Sequence, residues 1–177
     1  DPNTKTVLVT GGSQGAVSIN RALAGAVERI TGAGFQVLHA YGRKNDAPAT
    51  MDGYTAVPYI DDMEAAYAVA DLVVCRSGAM TVAENSAAGL PAIYVPLPHG
   101  NGEQGLNSAH LVATGAAVRI DDASLTPDVL AEEVLGILGS PDRYQEMRSA
   151  LETSGAGNVA EELARRITKA AARSAHQ

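Results

Sequence analysis

With 177 residues, 46% of them hydrophobic, the chain is long enough to bury one core and lies within the size of a single domain. A net charge of −7 and a pI near 5.0 speak against a nucleic-acid partner, because neutralising phosphates takes a basic surface. The single cysteine, Cys75, closes no internal disulfide, no apolar run nears the roughly 20 residues of a membrane span, and the opening DPNTKT lacks a signal-peptide layout, so a soluble cytoplasmic chain is expected.

The first apolar run, KTVLVT (5–10), reads as a strand and runs into Gly11-Gly12-Ser13-Gln14-Gly15-Ala16. Glycines there let the backbone bend tightly and bring its N–H groups close to an anion at the positive end of the next helix, with Ser13 adding a hydroxyl donor. The same glycines would serve a turn that needs only close packing. Two common phosphate motifs fail. A dinucleotide fingerprint begun at Gly11 puts Ser13 and Ala16 on its other glycine positions. The second strand, FQVLHAY (35–41), then runs into Gly-Arg-Lys without the acidic residue expected about 20 positions on to hold a ribose hydroxyl. No Gly-Lys-Ser/Thr follows for a Walker loop.

Between those strands SINRALAGAVERI (18–30) has a helical pattern; beyond them YTAVPYI (54–60) is a strand and MEAAYAVA (63–70) a helix. Asp61-x-x-Glu64 has the spacing of a helix cap, and the adjacent Asp61-Asp62 is not a metal-binding D-x-D. Strand DLVVC (71–75) leads through Arg76-Ser77-Gly78-Ala79 into helix TVAENSAAG (81–89), a second strand-glycine-helix junction with Arg76 available as a cation. Two such turns facing one cleft suit a diphosphate. Glu84 has two readings: its carboxylate can accept both hydroxyls of a ribose, or Thr81-x-x-Glu84 is a capping box in which it satisfies a backbone N–H.

Strand PAIYVP (91–96) opens a long loop rich in Pro and Gly that ends at Glu103-Gln104, a ligand loop by position. His99 in it is a candidate general base or, without an acid partner, a structural histidine. GLNSAHLVATG (105–115) is a helix and AAVRI (116–120) the last strand; the remainder looks helical, with breaks near GSPD and SGAG. Arg165, Arg166, Lys169 and Arg173 place cations along one side of the last helix, a solvated face or a membrane contact. The alternation predicts an α/β domain, a single Rossmann-like doubly wound parallel sheet of about six strands. Its ligand loops are then 11–16, 41–50, 58–62, 76–80 and 96–104, beyond the carboxyl ends of the strands.

GGSQGA, YIDDMEAAYAVADLVVCRSGAMTVAE and AAGLPAIYVPLPHGNGEQGLNSAHLVATGAA, in this order and spacing, resemble the carboxyl-terminal half of the MurG family. These are GT-B enzymes of glycosyltransferase family 28 that transfer N-acetylglucosamine from UDP-N-acetylglucosamine to lipid I, making lipid II for peptidoglycan; the NGEQ form of the last loop looks actinobacterial. The resemblance implies that residues 1–177 are one donor-binding domain. It implies that the amino-terminal acceptor domain, with its glycine-rich motif, presumed catalytic histidine, lipid-acceptor site and membrane patch, is absent here. The full-length enzyme would be peripheral on the cytoplasmic face of the plasma membrane, and this part alone would bind donor without catalysis.

Carried over by position, the resemblance puts Ser13, with Gly12, Gln14 and Gly15, on the donor phosphates, and the Ile60 backbone on uracil. It puts Arg76 at the pocket edge and Ala79, Met80 and Thr81 along the phosphate end, with Gly78, Val82 and Ala83 also in the donor site. Glu84 falls on the ribose hydroxyls, and Gln104 beside Glu103 on the sugar. It implies no catalytic residue in this chain, no cofactor and no required metal. Many relatives have two glutamines at 103–104 and an arginine at position 17, where this chain has Glu103 and Val17. Two further readings stand beside it: a donor-binding subunit that needs a membrane-associated partner chain, and a nucleotide-dependent oxidoreductase, which Ser13 and the missing carboxylate disfavour.

Overall fold

The computed structural model describes residues 3–12, 14–98 and 102–154. In chain order they form β1 (Thr6–Thr10), α1 (Val17–Gly32), β2 (Gln36–Ala40), β3 (Tyr54–Val57), α2 (Met63–Val69), β4 (Leu72–Cys75) and α3 (Ala79–Ala87). There follow β5 (Ala92–Tyr94), α4 (Glu103–Ala113), β6 (Ala117–Arg119), a 3-10 turn (Asp122–Ser124), α5 (Pro127–Leu138) and α6 (Pro141–Thr153). The strands make one parallel sheet in the order β3-β2-β1-β4-β5-β6, the doubly wound arrangement expected from the alternation of strand and helix patterns. β3 stops at Val57, short of the expected Ile60, where the Tyr41 carbonyl at the end of β2 accepts from the Asn20 and Asn45 side chains in place of a further strand N–H. The expected terminal helix, with Arg165, Arg166, Lys169 and Arg173, lies outside the described residues.

Each central strand is apolar on both faces, because helices cover both. Val7, Val9, Leu72, Val74, Ile93 and Val95 point into a core shared with α1 and α5. The alternate residues Leu8, Val73, Cys75, Ala92 and Tyr94 point into a second core, closed by Ala66 of α2, Val82 of α3 and Leu111 of α4. α1 buries Ile19, Ala22, Leu23, Ala26, Val27 and Ile30, a stripe at helical spacing that turns one face to the sheet.

One buried polar network interrupts the first core. His39 on β2 lies between the Tyr54 hydroxyl, 2.7 Å from Nδ1, and Asn20 Oδ1, 3.0 Å from Nε2. Asn20 Nδ2 donates to the Tyr41 carbonyl, so Oδ1 faces the ring; Nε2 therefore carries the proton and Nδ1 accepts from Tyr54. Burial lowers the His39 pKa to about 4. The unfolded chain takes up its histidine proton near pH 6.5, well above the folded chain, so stability is lost as pH falls through that window. Urea unfolding is expected to show roughly 2 kcal/mol lost between pH 6.5 and 5 from this group, and a His39→Leu variant is expected to lack that part of the slope.

Candidate functional site

A cavity of about 520 Å³ opens at the carboxyl ends of the strands. The first glycine turn contributes Gly11, Gly12, Gly15, Ala16 and Val17; the β4–α3 junction contributes Arg76, Gly78, Thr81 and Glu84. Tyr59, Ile60, Met63 and Tyr67 close a third side, and Leu97 with Gln104 a fourth. A wider concavity of about 1020 Å³ lies at the opposite end, lined by Thr4, Gln36, Gly53 and Asp71 among others. It has neither glycine-to-helix junction, and the Asp71 carboxylate there accepts the Thr6 N–H at 2.8 Å as a structural bond. The ligand end of a doubly wound sheet is the carboxyl end, and the smaller cavity occupies it.

Helix capping separates this cavity from the rest of the surface. Asp62 caps α2 by accepting from the Ala65 N–H, Thr126 caps α5 and Ser140 caps α6. The cap of α2 is thus Asp62, one residue past the expected Asp61. The helices α1, α3 and α4 start at Ala16, Gly78 and Gly102, none with a side-chain cap. All three bring their first turns to the cavity lining. Among the described residues no side-chain oxygen accepts from their leading N–H groups, which with the positive dipole ends border a common space.

The first turn is held against the end of β2 by backbone contact. Gly15 (φ +73°) abuts the Tyr41 carbonyl, and Gly42 (φ +88°) abuts the Gly15 backbone. Asn45 straps the pair, donating from Nδ2 to the Gln14 carbonyl at 3.0 Å and to the Tyr41 carbonyl at 2.8 Å. Gly42 and Asn45 lie in the expected ligand loop 41–50 without being singled out there, and Asn20 on α1 was not expected at the site.

At the second junction α3 begins immediately after Gly78, so Thr81 and Glu84 are already inside the helix and the capping box does not form. Glu84 is exposed at the cavity rim, and its Oε2 accepts the Tyr67 hydroxyl at 3.0 Å. Arg76, expected as an available cation, is engaged and mostly buried. Its Nη1 donates to the Val95 and Pro96 carbonyls, both at 3.2 Å, and to Asp122; its Nη2 donates to Ser18 Oγ at 2.9 Å. Asp122, which also accepts from Ser18, neutralises it. Ser77 Oγ donates to the Gln104 carbonyl at 2.7 Å, and Gln104 Oε1 accepts the Leu97 N–H at 3.0 Å, which ties the start of α4 to the β5 loop. Cys75 on the cavity floor is buried with its thiol pushed up to about 12, so it stays protonated and is no nucleophile.

Of the residues singled out in the sequence, Gly12, Gly15, Ile60, Arg76, Gly78, Thr81, Glu84 and Gln104 come together on this lining. Gln14 borders a neighbouring recess with Arg43, Lys44 and Tyr59. Ala79, Met80, Ala83 and Glu103 are exposed beside the cavity, and Val82 turns into the core. Ser13 and His99 lie outside the described residues. Tyr67, Ser18 and Asp122, which sequence reading missed, bond to Glu84 or Arg76 across the fold. Among the described residues no group of three or more His, Cys, Asp or Glu could hold a metal ion, and no helix is long and apolar enough to cross a membrane.

A six-stranded parallel sheet in this order, with the cavity at its carboxyl edge, defines a Rossmann-like α/β domain of the kind found in GT-B glycosyltransferases. The crystal structure of Acinetobacter baumannii MurG superposes with a TM-score of 0.76 at 30% identity, over 94% of this chain and 52% of that one. The calicheamicin glycosyltransferase CalG4, 20% identical with a TM-score of 0.66 over 93% of this chain and 42% of that one, shares the fold. The chain belongs to glycosyltransferase family 28: residues 6–163 match the glycosyltransferase family 28 C-terminal domain.

Among curated proteins it is 59% identical over 166 residues to the UDP-N-acetylglucosamine–N-acetylmuramyl-(pentapeptide) pyrophosphoryl-undecaprenol N-acetylglucosamine transferase of Corynebacterium efficiens, covering 94% of this chain and 46% of that protein. The Mycobacterium avium protein of the same name is 52% identical over 174 residues, 96% of this chain and 42% of that protein. The actinobacterial resemblance is borne out by these relatives. The chain spans less than half the length of the curated relatives it matches.

Proposed function

We propose that this chain is the donor-binding half of an inverting N-acetylglucosaminyltransferase that takes UDP-N-acetylglucosamine and builds lipid II from lipid I. The observation that carries the reading is the meeting of α1 and α3, both without side-chain caps, on one cavity with Glu84 at its rim. Uncapped N–H groups and the dipole ends favour the diphosphate, and the Glu84 carboxylate accepts the ribose hydroxyls. Ser13 adds a phosphate contact, the Ile60 backbone meets uracil, and Gln104 turns from Leu97 to the sugar.

As the glycosidic bond breaks, charge grows on the departing UDP. Because the Arg76 guanidinium is committed to Asp122, the fixed amides of α1 and α3 carry that stabilisation. A base in the other half of the enzyme would take the proton from the acceptor hydroxyl, which then attacks the anomeric carbon. No metal is needed in this scheme. The exposed apolar side chains at the rim, Val17, Tyr59 and Leu97, together with Met80 and Leu106 on the first turns of α3 and α4, suit contact with that acceptor-binding half. By this reading the enzyme works at the cytoplasmic face of the plasma membrane, and this half alone binds donor without transferring it.

Calorimetric titration tests the site. UDP and UDP-N-acetylglucosamine are expected to bind, and Glu84→Ala to weaken both by about ten- to a hundredfold with little change in thermal stability, since the side chain is exposed. Absence of binding at millimolar UDP, or an unchanged affinity in the variant, overturns the assignment.

A further inference from the structure

We infer that Tyr67 is a positioning residue that holds the Glu84 carboxylate ready for a ribose diol, an inference that rests on the donor-site reading above. Glu84 is exposed and has rotatable torsions, so by itself it would sample many directions and lose that freedom on binding. Among the described residues its hydrogen-bond partner is the Tyr67 hydroxyl, 3.0 Å from Oε2. The phenol is a fixed post: its ring packs against the second core, and Ile60, Met63 and Tyr67 turn to the same cavity from α2 and the loop before it.

The chemistry of this anchor matters as much as its position. An arginine beside Glu84 would neutralise the carboxylate and occupy both its oxygens; the nearby guanidinium, Arg76, is instead paired with Asp122. A neutral phenol takes one of about four acceptor positions and leaves the negative charge and the remaining lone pairs for two hydroxyl donors. Burial, and then the Glu84 carboxylate itself, push the Tyr67 pKa far above its ordinary value, so the hydroxyl is a donor at any working pH. Glu84 is thereby preorganised toward the cavity, and ordering it at the moment of binding costs less.

The test compares UDP with 2′,3′-dideoxy-UDP, which lacks both hydroxyls, by calorimetric titration of the whole chain and its variants. Tyr67→Phe keeps the ring and its packing. It is expected to weaken UDP about three- to tenfold while leaving dideoxy-UDP unchanged, so that the discrimination between the two nucleotides narrows. In a Glu84→Ala background the same substitution is expected to have no further effect on UDP. Discrimination by Tyr67→Phe equal to the unmodified chain overturns the inference and leaves the ribose role of Glu84 standing. An equal loss for both nucleotides, or an effect that persists without Glu84, shows a packing role and also overturns it. If the unmodified chain itself binds the two nucleotides alike, the ribose reading falls, and this inference with it.

Discussion

Gly15→Ala is expected to lower the unfolding free energy by about 3–5 kcal/mol and to abolish UDP binding. Two costs add. At φ +73° a residue with a Cβ pays roughly 1–2 kcal/mol, and here that Cβ would sit 2.3 Å from the Tyr41 carbonyl oxygen and 2.5 Å from Asn45 Nδ2. The carbonyl cannot retreat, because Asn20 and Asn45 both bond to it. Gly42→Ala should behave alike, since its Cβ would meet the Gly15 nitrogen at 2.4 Å. Gly12→Ala is the control: φ is +78°, but no described residue lies within 4 Å of its Cβ, so only the conformational cost of roughly 1–2 kcal/mol remains. Urea unfolding of the three variants separates steric from conformational loss, and equal effects at Gly12 and Gly15 would refute the packing argument.

Arg76→Met is expected to cost about 3–4 kcal/mol, because it leaves the Asp122 carboxylate largely buried without the guanidinium beside it. The loss reaches beyond one pair. Arg76 joins the β4–α3 junction to the Val95 and Pro96 carbonyls, to Ser18 on α1 and to the 3-10 turn, so its removal loosens both glycine turns together. The double variant Arg76→Met, Asp122→Leu is expected to recover most of the stability, since no carboxylate is then left there without its guanidinium. Chemical denaturation of the single and double variants decides; a single-variant loss below about 1 kcal/mol would show that the pair is effectively solvated.

Glu84 shows where sequence reading reached its limit. Its distance from Thr81 permits a capping box, and that spacing says nothing about which residue opens the helix. The backbone turns helical directly after Gly78, which moves Thr81 and Glu84 inside α3 and frees the carboxylate from capping. Arg76 shows the converse. Beside a glycine at a strand end it reads as a cation for phosphate, yet its partner Asp122 follows 46 residues later, beyond any local pattern. Tyr67 lies 17 residues before Glu84, and at that separation only the packing of α2 beside α3 brings the two together.

The sequence by itself determined the alternation of strand and helix, the glycine turns at two strand ends and the family, because periodicity, turn chemistry and motif order are local and written in consecutive residues. Only the tertiary structure decided which charges are already neutralised, which helix starts lack caps and which glycines meet backbone to backbone. Those depend on groups brought within about 3 Å across long chain separations, where pairing energy falls off steeply with distance.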